Sequence, residues 1–333
     1  MRRLNQLGPL LGLLIIYGLL ALFGPDSFAT SRTLETIARQ TAIVGAAALG
    51  MTLVIILGGI DLSTGSVVAM STVITAKLLT ALAGQGQNAL SADVLSLSVG
   101  FGGALLAAAA TLAIAAACGS ANGLIITRFK VVPFIVTLGT LLIIRGAAKG
   151  LANQQKVDAP LSCLNDLLAP AAARQQWGFL SPGVWILILL SIGAFVLLNY
   201  SRLGRHIYAI GSNEQAARLC GIAVEKVKLI VYTIAGFMAG VAGILQFSRL
   251  SVGDPTVATG LELDVIAAVV IGGGSLSGGE GSVFGTIVGA LIMTVIRSGC
   301  SQMGLPNWIQ EIVTGAIIVL AVAIDRMRHR MSQ

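Results

Sequence analysis

Few residues in this chain have the type and spacing for covalent chemistry. The two histidines, His206 and His329, each stand beside an arginine, and the four cysteines, Cys118, Cys163, Cys220 and Cys300, form no C-x-x-C pair. Neither set has the spacing of a metal site, so no metal and no catalytic residue is expected. No G-x-x-x-x-G-K-[ST] occurs, so nothing here cradles nucleotide phosphates in the P-loop manner. What remains is ionic and hydrogen-bonding chemistry at a few points. Glu262 and Asp264 head a short apolar run downstream of Arg249. Acids in such a place call for either a functional partner or a neutralising one. They are expected near the outer end of their span, paired with Arg249, or in contact with a polar solute or a docking protein at the outer mouth.

A second polar segment reads Ser212-Asn213-Glu214-Gln215-Ala216-Ala217-Arg218 and closes on Gly221. Ser212 with Gln215 fits the S-x-x-Q capping box, in which serine oxygen and glutamine side chain satisfy early backbone donors. Gly221 is a natural stop. The resulting helix of about two turns is too short to persist alone in water. It is either a membrane-surface loop or a helix that docks on a partner, with Glu214 and Arg218 supplying orienting charge.

Two glycine-rich turns interrupt the apolar sequence, LGGIDLSTGSV at 57–67 and IGGGSLSGGEGSV at 271–283. Leu57-Gly58-Gly59 matches Ile271-Gly272-Gly273, and Gly65-Ser66-Val67 matches Gly281-Ser282-Val283 after a two-residue insertion. Gly58 and Gly59 allow a sharp turn where a helix ends, and Asp61 or Ser63 suits the cap of the next helix. Gly272, Gly273, Gly274, Gly278 and Gly279 are placed to do the same at the second turn. Both turns are read as cytoplasmic, either as capped loops or as contacts with a partner or an inner gate.

The elements that must position these residues follow from composition. Of 333 residues, 56% are hydrophobic and 11% charged, with mean hydropathy +0.90. A water-soluble domain carries roughly 25% charged residues. Long apolar runs recur, each about the length that crosses a bilayer. This predicts an all-α, polytopic membrane protein forming a single domain over 1–333. Ten spans are expected, at about 8–24, 40–58, 62–83, 94–118, 131–150, 183–200, 227–247, 261–274, 282–300 and 308–325. The basic first segment resembles a signal sequence but lacks a clean cleavage site, and is read as a retained span. The eighth span is short enough to be broken or re-entrant. Basic residues concentrate in the tails and in the short segments around 128–130 and 202–228, which places both termini in the cytoplasm and makes 201–226 the largest cytoplasmic loop. The net charge of +7 is assigned to that orientation. No basic patch with interleaved aromatics suggests nucleic acid. Asn122, Thr137, Thr140, Gln246 and Asn307 are scattered polar residues, each read first as helix packing.

Three stretches carry a family resemblance: GGIDLSTGS at 58–66, SRLGRHIYAIGSNEQAARLCGI at 201–222, and LELDVIAAVVIGGGSLSGGEGSVFGTIVGAL at 261–291. From about residue 40 to its C-terminus the chain resembles the membrane permeases of bacterial sugar ABC importers, and most of all the ribose permease group. The resemblance implies a subunit of the cytoplasmic (inner) membrane with several partners. These are an ATP-binding subunit that holds ATP and magnesium, an extracytoplasmic sugar-binding protein, a second permease copy and the membrane lipids. No cofactor is implied on this chain. The resemblance further implies that 213–221 is the helix coupling to the ATPase. Related importers carry E-A-A-x-x-x-G there, whereas this chain has Gln215-Ala216-Ala217 and Gly221 with the acid one place earlier, at Glu214. The alternative is a stand-alone secondary transporter or channel. That reading requires carboxylates or cation sites deep in the spans, whereas the charges here are read at span ends.

Overall fold

A computed structural model describes residues 2–84, 99–170 and 180–332. The first residues of the span expected at 94–118 and the middle of the 151–182 loop, Arg174 included, lie outside the described residues. The described chain is mostly helical. Seven of its helices are long and apolar enough to cross a membrane. They are α2 (Ser31–Ile56), α3 (Thr64–Gly84), α4 (Phe101–Phe129), α5 (Pro133–Leu151), α6 (Pro182–Tyr200), α9 (Val224–Leu250) and α11 (Val283–Gln302). The apolar parts of α1 (Arg2–Phe23) and α12 (Asn307–Ser332) are shorter. Between them lie α7 (Arg202–Ser212), α8 (Glu214–Leu219) and α10 (Leu261–Ile271). Each of the ten expected spans overlaps a helix, but α10 has only 11 residues, about 16 Å at 1.5 Å per residue.

The chain divides into two compact units, Met1–Gly59 with Leu187–Val227 and Leu263–Gln333, and Ile60–Ile186 with Lys228–Glu262. In the first unit α2 is buried without interruption from Thr41 to Leu57, as befits a helix apolar on every side. It packs against α11 through two threonine pairs, Thr41 with Thr294 and Thr52 with Thr286, each at 2.7 Å between hydroxyl oxygens. The order of the pairs makes the helices antiparallel. Where lipid is as apolar as leucine, such hydroxyl bonds and close small-residue packing hold helices together, at about 0.6 kcal/mol per bond. Near the other end of α2, Phe28, Ile37 and Val295 form a small core with residues of α1.

In the second unit α3 is the central helix, packed on α4 and α5. Its far end joins a core of Ala76, Leu79, Ala104, Ala107, Leu164, Ile244 and Phe247. A short antiparallel ribbon lies beside it: β1 (Val157–Asp158) pairs with β2 (Val252–Gly253), Val157 opposite Gly253.

Candidate functional site

In the first unit three backbone segments meet. At the end of α2 the Gly58 N–H donates to Ile55 O and the Gly59 N–H to Val54 O, both at 2.9 Å. At the end of α10 the Gly273 N–H donates to Val270 O and the Gly274 N–H to Val269 O, also at 2.9 Å. Both are Schellman caps, with φ of +85° at Gly58 and +89° at Gly273. The structural equivalence is therefore Gly58 with Gly273, one residue further along than the sequence match. The turns also touch: the Gly279 N–H donates to Ile56 O at 2.8 Å.

The third segment is the end of α7. A Cβ on Gly211 would stand 1.7 Å from Ile56 O and 2.6 Å from Gly279 N. No side chain fits there, so glycine is required by close approach rather than by φ. The Tyr208 hydroxyl donates to Gly281 O at 2.8 Å, fastening α7 to the second turn. Neither Gly211 nor Tyr208 was singled out from sequence, because the contacts that define them come from residues far along the chain.

The helix expected from the capping box is α8, but it begins differently. Ser212 is the last residue of α7, and Asn213, at φ −158° and ψ 102°, is the cap whose Oδ1 accepts the Ala216 N–H at 2.9 Å. Asn213 also donates its own N–H to Ala209 O at 3.1 Å. One residue thus closes α7 and opens α8, and Gln215 does not act as a box partner to Ser212. The segment is not a lone helix between loose flanks but a helical elbow. Gly221, at φ +82°, ends it. Ala217 is buried, Leu219 is 90% exposed, and Glu214, Gln215, Ala216 and Arg218 face outward. Arg218 is shared between Glu214, at 3.4 Å, and Glu225 at the start of α9. These exposed pairs clip the elbow to the next helix and contribute little to stability.

In the second unit the turn after Gly59 is gripped by side chains. Asp61 Oδ1 accepts the Ser63 N–H at 2.9 Å and the Ser63 hydroxyl at 2.6 Å. Asn122 on α4 donates to Ser63 Oγ at 2.9 Å, and Thr137 on α5 donates to Ile60 O at 3.1 Å. Asp61 is 3% exposed, so it is no solvent-facing cap. Burial pushes its carboxyl above its ordinary value, against the lowering effect of the Ser63 bonds.

The segment between β2 and α10 also runs inward along α3. Asp254 exchanges hydrogen bonds with Thr72, its N–H to Thr72 Oγ1 at 3.1 Å and its carbonyl accepting that hydroxyl at 3.2 Å. Further along, a Cβ on Gly65 would meet Ala258 O at 2.6 Å and Glu262 Oε2. Arg145 satisfies the exposed carbonyls by donating to Val257 O at 2.6 Å and Pro255 O at 3.3 Å. Non-helical backbone is stable in such a place only with partners of this kind.

Glu262 is therefore beside the first turn of α3. The helix of the eighth expected span, α10, runs only from Leu261 to Ile271 and ends at the second glycine-rich turn. Asp264, 1% exposed, takes Arg297 of α11 at 2.6 Å. Arg297 is thus an ionic partner of Asp264 that sequence did not assign to it, and Arg145 serves carbonyls within its own unit. The contacts that join Arg145, residues 254–258 and Glu262 to α3 were not legible in sequence, because the path of 251–260 has no periodic signature.

The family described as "Branched-chain amino acid transport system / permease component" matches residues 33–322. The chain is 39% identical to the ribose import permease protein RbsC of Escherichia coli K12, over 96% of this chain and 93% of that one. It is 33% identical to the L-arabinose ABC transporter permease protein AraH of Azospirillum brasilense, over 98% and 89%. With the xylose transport system permease protein XylH of Escherichia coli K12 the identity is 34%, over 92% and 88%. No solved structure matches the chain. The chain belongs to this family of ABC transport-system permeases.

Proposed function

We propose that this chain is the membrane-spanning subunit of a bacterial, binding-protein-dependent importer for a monosaccharide, ribose or a similar pentose. It would lie in the cytoplasmic membrane and cross it ten times, α10 being the incomplete crossing, with both termini in the cytoplasm. The observation that carries the substrate class is near-full-length identity to permeases named for ribose, arabinose and xylose. The family's description names branched-chain amino acids. The pentose reading is favoured because several relatives named for pentoses match over almost all of the chain.

In this reading ATP and magnesium are held by a separate ATPase subunit, a sugar-binding protein delivers the solute, and a second permease copy completes the path. The segment Ser212 to Gly221 is the coupling element. Its exposed Leu219 is an apolar knob for a groove on the ATPase. A push on α8 passes through Asn213 into α7, and at Gly211 it reaches the ends of α2 and α10 together. One rigid elbow thereby bears on both glycine-rich turns. This chain's contribution is mechanical.

The test is affinity purification from native membranes, asking whether an ATP-hydrolysing subunit comes with the wild-type chain. It is repeated for Leu219→Asp and for the double reversal Glu214→Arg with Arg218→Glu. Loss of the ATPase in Leu219→Asp, with the permease still inserted, establishes α8 as the contact. Retention in both variants removes α8 from that role. Uptake of labelled ribose against labelled leucine, in vesicles carrying the partner subunits, tests the cargo; leucine uptake alone would overturn the pentose reading. Uptake that proceeds without any ATPase would return the chain to the stand-alone transporter.

A further inference from the structure

The second unit holds a buried carboxylate with no cationic partner among its described neighbours. Asp61 Oδ1 is occupied by the two Ser63 donors, and no lysine or arginine pairs with the carboxyl group among the described residues. Its own place before α3 offers the helix dipole, which offsets only part of the desolvation of a buried charge.

Other buried polar atoms of this unit lack partners. Asn122 uses its Nδ2 on Ser63 Oγ, which leaves its amide oxygen free beside the same turn, and that Oδ1 has no partner. Ser66 Oγ, one helical turn beyond Ser63, and the Tyr232 hydroxyl on α9 are likewise buried and unpartnered. Asn122 and Tyr232 are 1% exposed and Ser66 is 0%. Asn122 and Tyr232 are close together in the unit. Tyr232 packs on the helical turn that carries Asn122, its Cβ 3.2 Å from where a Cβ on Gly123 would stand.

Buried polar atoms are satisfied in more than nine cases of ten, as a rough rule, and clustered exceptions point to something that binds there. Here Asn122 Oδ1 can only accept, and the ionised Asp61 carboxylate offers a second acceptor oxygen. A ligand that satisfies both must bring positive charge or donors. Hydroxyl, amide and carboxylate oxygens are the ligands hard cations select. A single carboxylate suits one positive charge and not two.

We propose that Asp61 and Asn122, with the Tyr232 hydroxyl beside them, form a binding site for a monovalent cation of the sodium class at the first turn of α3. The ion would neutralise Asp61 and tie α3, α4 and α9 to the turn that enters this unit. It goes beyond transport of the sugar and does not depend on the identity of the cargo.

The test uses the full-length chain purified in detergent, with sodium chloride replaced by choline chloride at constant ionic strength. Expected is a sodium-dependent rise in melting temperature of several degrees, saturating in the millimolar range, with retention of labelled sodium. The rise is lost in Asp61→Asn and reduced at least threefold in Tyr232→Phe, whose phenyl ring keeps the packing. An equal response in wild type and Asp61→Asn would overturn the site. So would indifference to sodium, which a bound water predicts. A third overturning result is stabilisation by acid alone that vanishes in Asp61→Asn, since a proton would then be the occupant.

Discussion

At Gly58 and at Gly273 a helix stops in the same backbone geometry, with the same pair of hydrogen bonds and nearly the same φ. Beyond those residues the two turns are held by different means. The second is held by backbone against backbone: Gly279 on Ile56, Gly278 and Gly279 on Gly211, with Tyr208 as a latch. The first passes at Ile60 into side-chain grips from Asp61, Ser63, Asn122 and Thr137. Similar sequence therefore specifies a helix end and not what the end attaches to. A backbone junction transmits displacement stiffly, because it contains no rotamers to absorb it. A side-chain junction can rearrange, and it can recognise a ligand.

The largest effect that should separate the two turns is at Gly211. Gly211→Val places atoms where Ile56 O already stands, and should cost about 3 kcal/mol or more. Transport should fall at least tenfold, and the melting temperature should drop. Wild-type uptake from this variant would break the idea that the junction is rigid. Next is Asn122→Ala, which removes the donor to Ser63 and leaves the turn's hydrogen bonds incomplete. About 2 kcal/mol is expected, measured by thermal unfolding in detergent. If it proves neutral, the side-chain grip on the first turn is not structural.

Gly58→Ala and Gly273→Ala sharpen the shared part of the comparison. Neither position has an atom within 4 Å of an added Cβ, so only the left-handed backbone resists the change. Each should lose about 1 kcal/mol, and the two losses should agree. A marked inequality would show that the caps differ in a way their geometry does not express. Smallest is Tyr208→Phe, at about 0.5 kcal/mol for a half-buried hydrogen bond, with the fold intact. Its use is kinetic: if the latch transmits motion, uptake should fall by more than the melting temperature predicts.

Much of this was legible in residue order. Apolar runs of membrane length gave nearly every long helix, because hydrocarbon forces each backbone polar group to be satisfied within its own segment. Gly58, Gly221 and Gly273 gave helix ends, since only their backbone freedom fits the left-handed residue. The short helix expected at 213–221 was found within two residues, although its cap moved from Ser212 to Asn213. That shift came from α7, which runs on to Ser212 and leaves Asn213 as the sole residue between two helices. Asp61 was read, with Ser63 as the alternative, as the cap of the next helix. Its chemistry as a cap, bonding Ser63 at the start of α3, is local, and sequence displayed it. Its burial depends on α4, α5 and α9, and sequence did not.

Sequence alone determined what lies along the chain: a membrane-embedded helical protein, its helix ends, an exposed polar elbow, and the family to which it belongs. Tertiary structure alone decided what lies across it. It brought Gly211 onto Ile56, placed Glu262 beside Gly65, gave Asp264 to Arg297 and gathered Asp61, Asn122 and Tyr232. The reason is physical. Hydropathy and capping are set by neighbours within a few residues, whereas close approach and charge pairing depend on which helices share a face, and in an apolar chain almost every face looks alike.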